Sequence, residues 1–401
     1  MKKRLIAFLL TFLTMFSFAH VKAYSADTQV ISFNNIKSIM IENSIDMKMA
    51  DNDLKDTKQE MEKINDDIED LGYKGSSISS SIKDLEDQIE EYEDEISELD
   101  KTDENYITNK ENLETKKASA EKTLSDLKDY KEKRTTAQRN LKKAELTYNQ
   151  TVEDAVYKAQ QSYISCLSTI SQIQNKKDSL EYNEKKADIY KLQYENGFLS
   201  KKEYEDAVRD NTDSQNEINQ LENAQETALN NLKLTLGISQ GEDITLSNDI
   251  EADLNSVLSI DYKEDLKEML KNSVDISIAD LELQWAKDDD DDDDDDDYEN
   301  YSLENKELNL DKQYTTLEIT FKEKYNDLMT AYNSIKSSYD KLQQSQEDYG
   351  VLSKKYSFGF ITKNELEKAK IDLDSSTADF NTERNEFYLK YLDYTQMKEG
   401  Y

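Results

Sequence analysis

The sequence is poor in the residues that interrupt helices and in those that most often perform chemistry. Its 401 residues include no proline, eight glycines, one histidine and one cysteine. Because proline breaks helix interiors and glycine destabilises them, such a chain can run in very long helices. Histidine is the commonest general base and metal ligand, so its scarcity excludes most hydrolase, transferase and zinc-site designs. The lone Cys166 excludes an internal disulfide.

No recognised catalytic motif compensates for the missing histidines. The sequence has neither a glycine-rich phosphate loop nor a nucleophile elbow. Among 87 acidic residues, close pairs of carboxylates carry no information, although carboxylate-only catalysis remains an alternative. We therefore predict that the protein is not an enzyme and has no catalytic residues, cofactor or metal site. The aspartate run Asp288–Asp297 lacks the turn glycine and spaced ligands of an EF-hand, and is typical of a solvated spacer.

The net charge of -36 limits the possible partners. A charge of this sign repels nucleic acid, so we expect no nucleic-acid partner. It also works against simple adhesion to anionic lipid. It fits a hydrated wall or an acidic channel, and it fits a merely soluble or disordered chain equally well.

The first residues have the order of a secretory signal peptide. Three basic residues, Lys2 to Arg4, precede an apolar run, Leu5 to Phe18, and a small-residue cleavage site follows, ending at Ala23. We predict a signal peptide over residues 1–23 and export to the cell envelope. No later stretch approaches the roughly 20 apolar residues of a membrane span, so we do not expect direct membrane insertion.

Apolar residues recur at the spacing of a coiled coil in the first half of the chain. Starting at residue 61, alternate steps of three and four reach twelve positions, of which all but Gly75 are apolar: Met61, Ile64, Ile68, Leu71, Gly75, Ile78, Ile82, Leu85, Ile89, Tyr92, Ile96 and Leu99. This spacing places one narrow apolar stripe on a helix. A later stripe, Leu141 to Ile173, includes Cys166, which we interpret as a small buried apolar residue. The predicted fold class is all-α, with long antiparallel helices and little or no β-structure.

Two motifs occur once in each half of the chain. Residues 41–54 align with residues 270–283, with six of fourteen positions identical. Residues 194–207 align with residues 356–369, with seven of fourteen identical. The chain therefore consists of two related halves, and the first half carries extra residues between its motifs.

The second motif predicts a tight helical hairpin in each half. Its glycine suits the left-handed cap that ends a helix, and the Ser or Thr and the Glu that follow form a capping box that opens the next one. An apolar pair lies between them, which is either part of a well-made turn or a surface for a docking partner. We predict that both tips bind a partner through ten residues: Gly197, Phe198, Leu199, Ser200, Glu203, Gly359, Phe360, Ile361, Thr362 and Glu365.

These motifs resemble those of TolC-like outer-membrane efflux proteins. Glycine followed by apolar residues, Ser or Thr at +3, an acid at +6 and Ala at +10 is similar to the tip signature of that family, although the family usually has Asp where this chain has Glu203 and Glu365. Tyr163 and Tyr325 match its aromatic before each tip. The opening Asn-Ser-x-Asp motifs and the ending at Leu234–Gly237 also resemble the family, and Ile244–Leu246 suits its linker strand.

The resemblance implies an architecture and a set of partners. In that family three protomers form an α-helical tunnel at the outer membrane, and its tips meet a periplasmic adaptor protein that works with an inner-membrane exporter. Membrane-spanning strands follow the first helix of each half, and these need alternating apolar and polar residues. The corresponding places here hold a Ser-rich run near residue 75 and the aspartate run, so we expect this chain to lack those strands.

The predicted organisation and function follow. We expect a first repeat over residues 30–240 with a heptad insertion at about 69–130, a linker over 241–259, and a second repeat over 260–401. The predicted function is an efflux or export duct component that docks an adaptor through two hairpin tips. The alternative is a secreted coiled-coil spacer or a regulator of cell-wall enzymes, which the acidic heptad segment by itself would support.

Overall fold

The computed structural model describes residues 29–248, 250, 254–291 and 301–401. The predicted signal peptide and residues 292–297 of the aspartate run lie outside the described residues. The helices are α1 (Ile36–Asn43), α2 (Ile45–Asp70), α3 (Ile78–Glu98), α4 (Tyr106–Glu195), α5 (Lys201–Leu236), α6 (Leu254–Leu258), α7 (Tyr262–Asn272), α8 (Val274–Asp291), α9 (Tyr301–Ser357) and α10 (Lys363–Lys398). The described strands, β1 (Gln29–Ile31) and β2 (Ile244–Leu246), have three residues each, so the all-α prediction is confirmed.

The heptad stripe from residue 61 to residue 99 does not lie on one helix, contrary to the sequence interpretation. Helix α2 ends at Asp70 and α3 begins at Ile78. The backbone N–H groups of Gly72 and Tyr73 donate to the carbonyls of Glu69 and Ile68, which is the hydrogen-bond pattern of a glycine-terminated helix. Apolar spacing indicates which face of a helix is buried, but it does not indicate that the helix ends before Gly72.

Residues 48–152 form one compact unit. Its core consists of Ile68, Ile78, Ile82, Leu85, Ala120 and Leu127, so that the two parts of the stripe pack together. Two ion pairs join α3 to α4: Lys128 lies 2.7 Å from Glu86, and Lys117 lies 2.7 Å from Glu93. The order of these pairs shows that the two helices run antiparallel. These exposed pairs contribute little to stability, and apolar burial along the stripe is the main stabilising term.

The other compact unit contains the remaining described residues and both hairpin tips. Its main core lies between α7, α9 and α10 and is rich in aromatic side chains, including Phe321, Phe380, Phe387 and Tyr394. The rings of Phe321 and Tyr394 stack with centroids 4.9 Å apart. Such aromatic contacts bury large apolar areas and hold α9 against α10 along much of their length.

The short strands connect the start of the first half with the linker between the halves. Strands β1 and β2 pair in parallel, with Gln29 opposite Ile244. The Tyr163 hydroxyl lies against the carbonyls of Ile31 and Ser247, so this buried residue ties both strands to α4. The expectation of a strand at Ile244–Leu246 is confirmed.

The repeated opening motif forms the same helix break twice. Helix α1 stops before Ser44 and α7 stops before Ser273, and each serine N–H donates to a carbonyl four residues back, at 2.9 Å. Both serines are buried. The two halves that the sequence predicts therefore share local structure as well as residues.

The two long hairpins differ in how closely their helices pack. Helices α9 and α10 are in close contact, whereas few parts of α4 and α5 approach each other. The large aromatics Phe321 and Phe387 occupy positions that correspond, at an offset of 162 residues, to Ala159 and Gln225 in the first hairpin. Smaller and more polar side chains leave the first pair of helices without the apolar area that close packing needs.

Candidate partner-binding site at the hairpin tips

The first tip is a compact turn between α4 and α5. Gly197 has φ 79°, and the backbone N–H groups of Gly197 and Phe198 donate to the carbonyls of Tyr194 and Gln193. These two bonds make a Schellman motif, which satisfies carbonyls at the end of α4. A positive φ of this size favours glycine, which explains the residue type at this position.

The second tip repeats this turn between α9 and α10. Gly359 has φ 75°, and the N–H groups of Gly359 and Phe360 donate to the carbonyls of Tyr356 and Lys355. A Cβ atom at either tip glycine would have no neighbour within 4 Å, so the positive φ rather than crowding selects glycine. The two tips therefore have the same backbone hydrogen-bond pattern.

A reciprocal capping box opens the helix after each tip. The Ser200 N–H donates to the Glu203 carboxylate at 3.0 Å, and the Glu203 N–H donates to the Ser200 hydroxyl oxygen at 3.2 Å. Thr362 and Glu365 make the same two bonds at 2.7 Å and 3.2 Å. Hydrogen bonds from the Ser200 side chain and backbone lower the Glu203 pKa, and bonds from the Thr362 backbone and side chain lower the Glu365 pKa. Both carboxylates are thus charged structural caps.

The apolar residues at the tips are unequally exposed. Phe198 is 83% exposed and Phe360 is 78% exposed, whereas Leu199 and Ile361 are only partly exposed. Of each apolar pair, the first residue therefore projects into solvent and the second is partly buried. Exposed aromatic rings at a turn are costly in water and are commonly found where a partner covers them.

Phe358 is a tip residue that the sequence reasoning missed. It is 75% exposed, and its ring centroid lies 6.3 Å from that of Phe360. The first half has Asn196 at the corresponding position, so a comparison of the two motifs did not mark this residue. The signal available in the sequence was the Phe-Gly-Phe triplet, which has one aromatic residue on each side of the turn glycine.

Below the first tip, α4 and α5 leave an open groove. The rings of Tyr194 and Tyr204 stack at 5.6 Å close to the turn. A groove of about 580 Å³ continues between Ala187 and Lys191 of α4 and Val208 and Thr212 of α5. Its lining is mostly polar, and exposed ion pairs such as Lys176 to Glu217, at 2.6 Å, bridge the helices further from the tip.

The second hairpin is closed at the corresponding level. Ser345 and Ser376 share a hydrogen bond of 2.8 Å between α9 and α10, and the Tyr339 and Phe380 rings lie 5.9 Å apart. Hydrogen bonds from Asn385 to Ser168, at 2.9 Å, and from Gln396 to Asp154, at 3.1 Å, place α10 of the second hairpin beside α4 of the first. The ten predicted residues thus form two turns with the same hydrogen-bond pattern, one at the end of each hairpin.

The chemical groups at the two tips are of three kinds. The tip side chains are aromatic rings, capping hydroxyls and carboxylates already engaged in helix caps.

No helix in the described ranges combines the length and the hydropathy that a membrane span requires.

Comparisons with known proteins found one family model and several solved structures that are similar to this chain. Residues 108–238 match the sequence model of a family described as Outer membrane efflux protein. That family comprises efflux proteins and is not an enzyme family. No curated protein matches the chain.

Among solved structures, the chain is similar at low identity to the outer membrane protein VceC, the outer membrane channel CmeC and the protein CusC. VceC of Vibrio cholerae is 13% identical, with a TM-score of 0.47 over 68% of this chain and 76% of that one. CmeC of Campylobacter jejuni is 12% identical, with a TM-score of 0.42 over 68% of each chain. CusC is 13% identical, with a TM-score of 0.49 over 92% of this chain and 95% of that one.

The matched segment begins near the start of α4, includes the first tip and ends just after α5, at the glycine-capped end that the sequence analysis also singled out. The resemblance of this chain to the outer membrane efflux protein family is therefore confirmed, through the sequence of residues 108–238.

Proposed function

We propose that this protein is a component of a TolC-like export duct and that both hairpin tips dock a partner protein. The observation that carries the proposal is the duplicated tip: two turns with the same glycine cap and capping box, each presenting an exposed phenylalanine. A spacer needs no second copy of an exposed aromatic turn. The family match over the first hairpin supports the same function.

The partners follow from the family resemblance. We infer that copies of the chain associate as a homotrimer, that the tips meet an adaptor protein, and that the adaptor connects them to an inner-membrane exporter. In this assembly no residue performs chemistry. The long helices guide the exported compound through a polar lumen, and the tips serve as the docking end.

The first test is the mass of the chain from residue 24 onward, measured by light scattering without detergent. A trimer supports the duct, because a tunnel wall requires several copies. A monomer or an elongated dimer would favour the secreted spacer, for which the apolar core shared by α3 and α4 is the supporting observation.

The second test addresses the tips. Cells that lack the gene are complemented with F198S/F360S or with I107S, and retention of a fluorescent efflux substrate is measured. Ile107 is a matched control because its side chain is 69% exposed and lies far from either tip in the sequence. Retention with the tip variant alone supports docking through the tips. Equal export by the parent and both variants contradicts it.

A further inference from the structure

The two tips carry opposite local charge, although their backbones match. Residues 354–370, around the second tip, contain five lysines and two glutamates, a net charge of +3. The corresponding residues 192–208 contain two lysines and four acids, a net charge of -2. In a chain of net charge -36, the second tip is therefore a local basic patch.

Most of the basic groups at the second tip are available to a partner. Lys354, Lys355 and Lys368 are exposed and make no ion pair within the described residues. Lys363 is also exposed and has only a long contact of 3.5 Å with Glu367. An ammonium group on a flexible stem at the surface attracts anionic groups without needing a fixed geometry.

The same tip exposes two phenylalanines. Phe358 and Phe360 are 75% and 78% exposed on either side of Gly359, and their rings are near neighbours. They project from a turn that the Schellman motif and the capping box hold rigid, so little conformational entropy would be lost if they were buried. Peripheral proteins that bind the headgroup region of anionic membranes typically do so through exposed aromatic side chains flanked by lysines.

The overall negative charge does not oppose such a contact at the tip. The Debye length in physiological salt is about 8 Å, so a membrane at the tip senses only nearby charges. Helix α9 has 57 residues and therefore extends about 85 Å away from the turn. The charge at the tips, +3 for residues 354–370 and -2 for residues 192–208, therefore decides the interaction, and the acidic groups far along the helices do not.

We propose that the second hairpin tip contacts an anionic lipid surface, with Phe358 and Phe360 inserted at headgroup depth and Lys354, Lys355 and Lys363 paired with lipid anions. The first tip, which has one phenylalanine and a negative local charge, remains for protein contact alone. This inference goes beyond the proposed docking function, and it assigns one tip a second kind of contact. The contact is peripheral and requires no membrane-spanning segment.

The test is sedimentation of the chain from residue 24 onward with lipid vesicles. The probes are vesicles of phosphatidylcholine alone and of equimolar phosphatidylcholine and phosphatidylglycerol. Because several lysines near an anionic surface act together, we expect binding to the mixed vesicles to be at least about tenfold tighter. Added salt should reduce this preference.

Paired variants locate the binding. F358S/F360S is expected to weaken binding to the mixed vesicles by about tenfold or more, while F198S at the first tip leaves it unchanged. K354Q/K355Q is expected to remove most of the preference for anionic lipid, while K116Q/K122Q, which removes two exposed lysines elsewhere, does not. All substituted side chains are exposed, so circular dichroism should show unchanged helix content.

Three results would overturn the proposal: failure of the parent chain to bind the mixed vesicles, binding that survives F358S/F360S, or equal binding to both vesicle types. If the parent does not bind but K354Q/K355Q impairs export, the lysines serve an acidic protein surface instead. The mass measurement without detergent or lipid does not depend on lipid binding, so failure of this contact and failure of the duct are distinguishable.

Discussion

Gly237, at the end of α5, lies directly against the backbone of Asn43, at the end of α1. A methyl group on the Gly237 Cα would stand 2.3 Å from the Asn43 carbonyl oxygen. The second half repeats the relationship, because a methyl group on Gly400 would stand 2.2 Å from the Asn272 carbonyl oxygen. In each half, the end of the last long helix therefore packs against the helix break that follows the first helix.

We expect G237A to lower the free energy of unfolding by about 2–4 kcal/mol, because alanine would have a positive φ and its Cβ would clash with backbone atoms. G400A should behave in the same way. Urea unfolding followed by circular dichroism measures both. The control G359A also has a positive φ, but its Cβ meets nothing within 4 Å, so the expected loss is only about 1 kcal/mol. Equal losses for all three variants would contradict the close approach.

Replacing the buried Phe387 with alanine should be strongly destabilising. The side chain is 1% exposed and packs near Tyr332 and Tyr391 between α9 and α10. Truncating such a core ring costs about 3–5 kcal/mol through lost transfer free energy and the cavity that remains. F198A, at an exposed tip, should change stability by less than about 0.5 kcal/mol. Thermal unfolding of the two variants side by side checks the contrast.

The Tyr394 hydroxyl donates to the Asp265 carboxylate at 2.7 Å, and Lys398 pairs with the other carboxylate oxygen at 2.9 Å. Burial, and then the interaction with Asp265, raise the pKa of Tyr394. Y394F leaves the carboxylate with one partner fewer, which should cost about 1–3 kcal/mol. Y314F, at an exposed tyrosine of α9, is the control and should be neutral. Equal denaturant midpoints for Y394F and Y314F would contradict this expectation.

Cys166 should be unreactive in the folded protein. Its side chain is fully buried, and burial raises the pKa of the thiol to about 11. Because the thiolate is the reactive form, both the raised pKa and the lack of access slow modification. We expect a coloured disulfide reagent at pH 8 to label the thiol only after urea is added. Rapid labelling without urea would show that this part of α4 opens easily.

The capping boxes should weaken in acid. The folded-state pKa values of Glu203 and Glu365 lie below the ordinary value of 4.5, so their stabilising contribution is present above that pH and is lost as the pH falls through the lowered pKa. Hydrogen exchange at the Ser200 and Thr362 amides, corrected for the intrinsic pH dependence, should show protection that declines in this window. E203Q and E365Q should remove the decline, and a decline that persists in them would assign it to another group.

Much of the tip was predictable because its determinants are local. A turn glycine followed three residues later by Ser or Thr, and by Glu three residues after that, specifies a helix end and a helix start through local hydrogen bonds of the backbone and of the capping side chains. The structure has both turns where the sequence placed them. Phe358 was missed because it has no aromatic counterpart in the first half. The partial burial of Leu199 and Ile361 depends on three-dimensional packing, which the motif does not encode.

The sequence by itself determined the helical class, the two related halves and the chemistry of the tips, because helix propensity, capping and turn formation depend on residues a few positions apart. The tertiary structure alone decided three other features: the break in the heptad stripe after Asp70, the close packing of α9 on α10 in contrast to the groove between α4 and α5, and the contact of Gly237 with Asn43. Each depends on which distant side chains or backbone atoms share a limited volume. Apolar spacing names the face that is buried, but only packing determines what covers it.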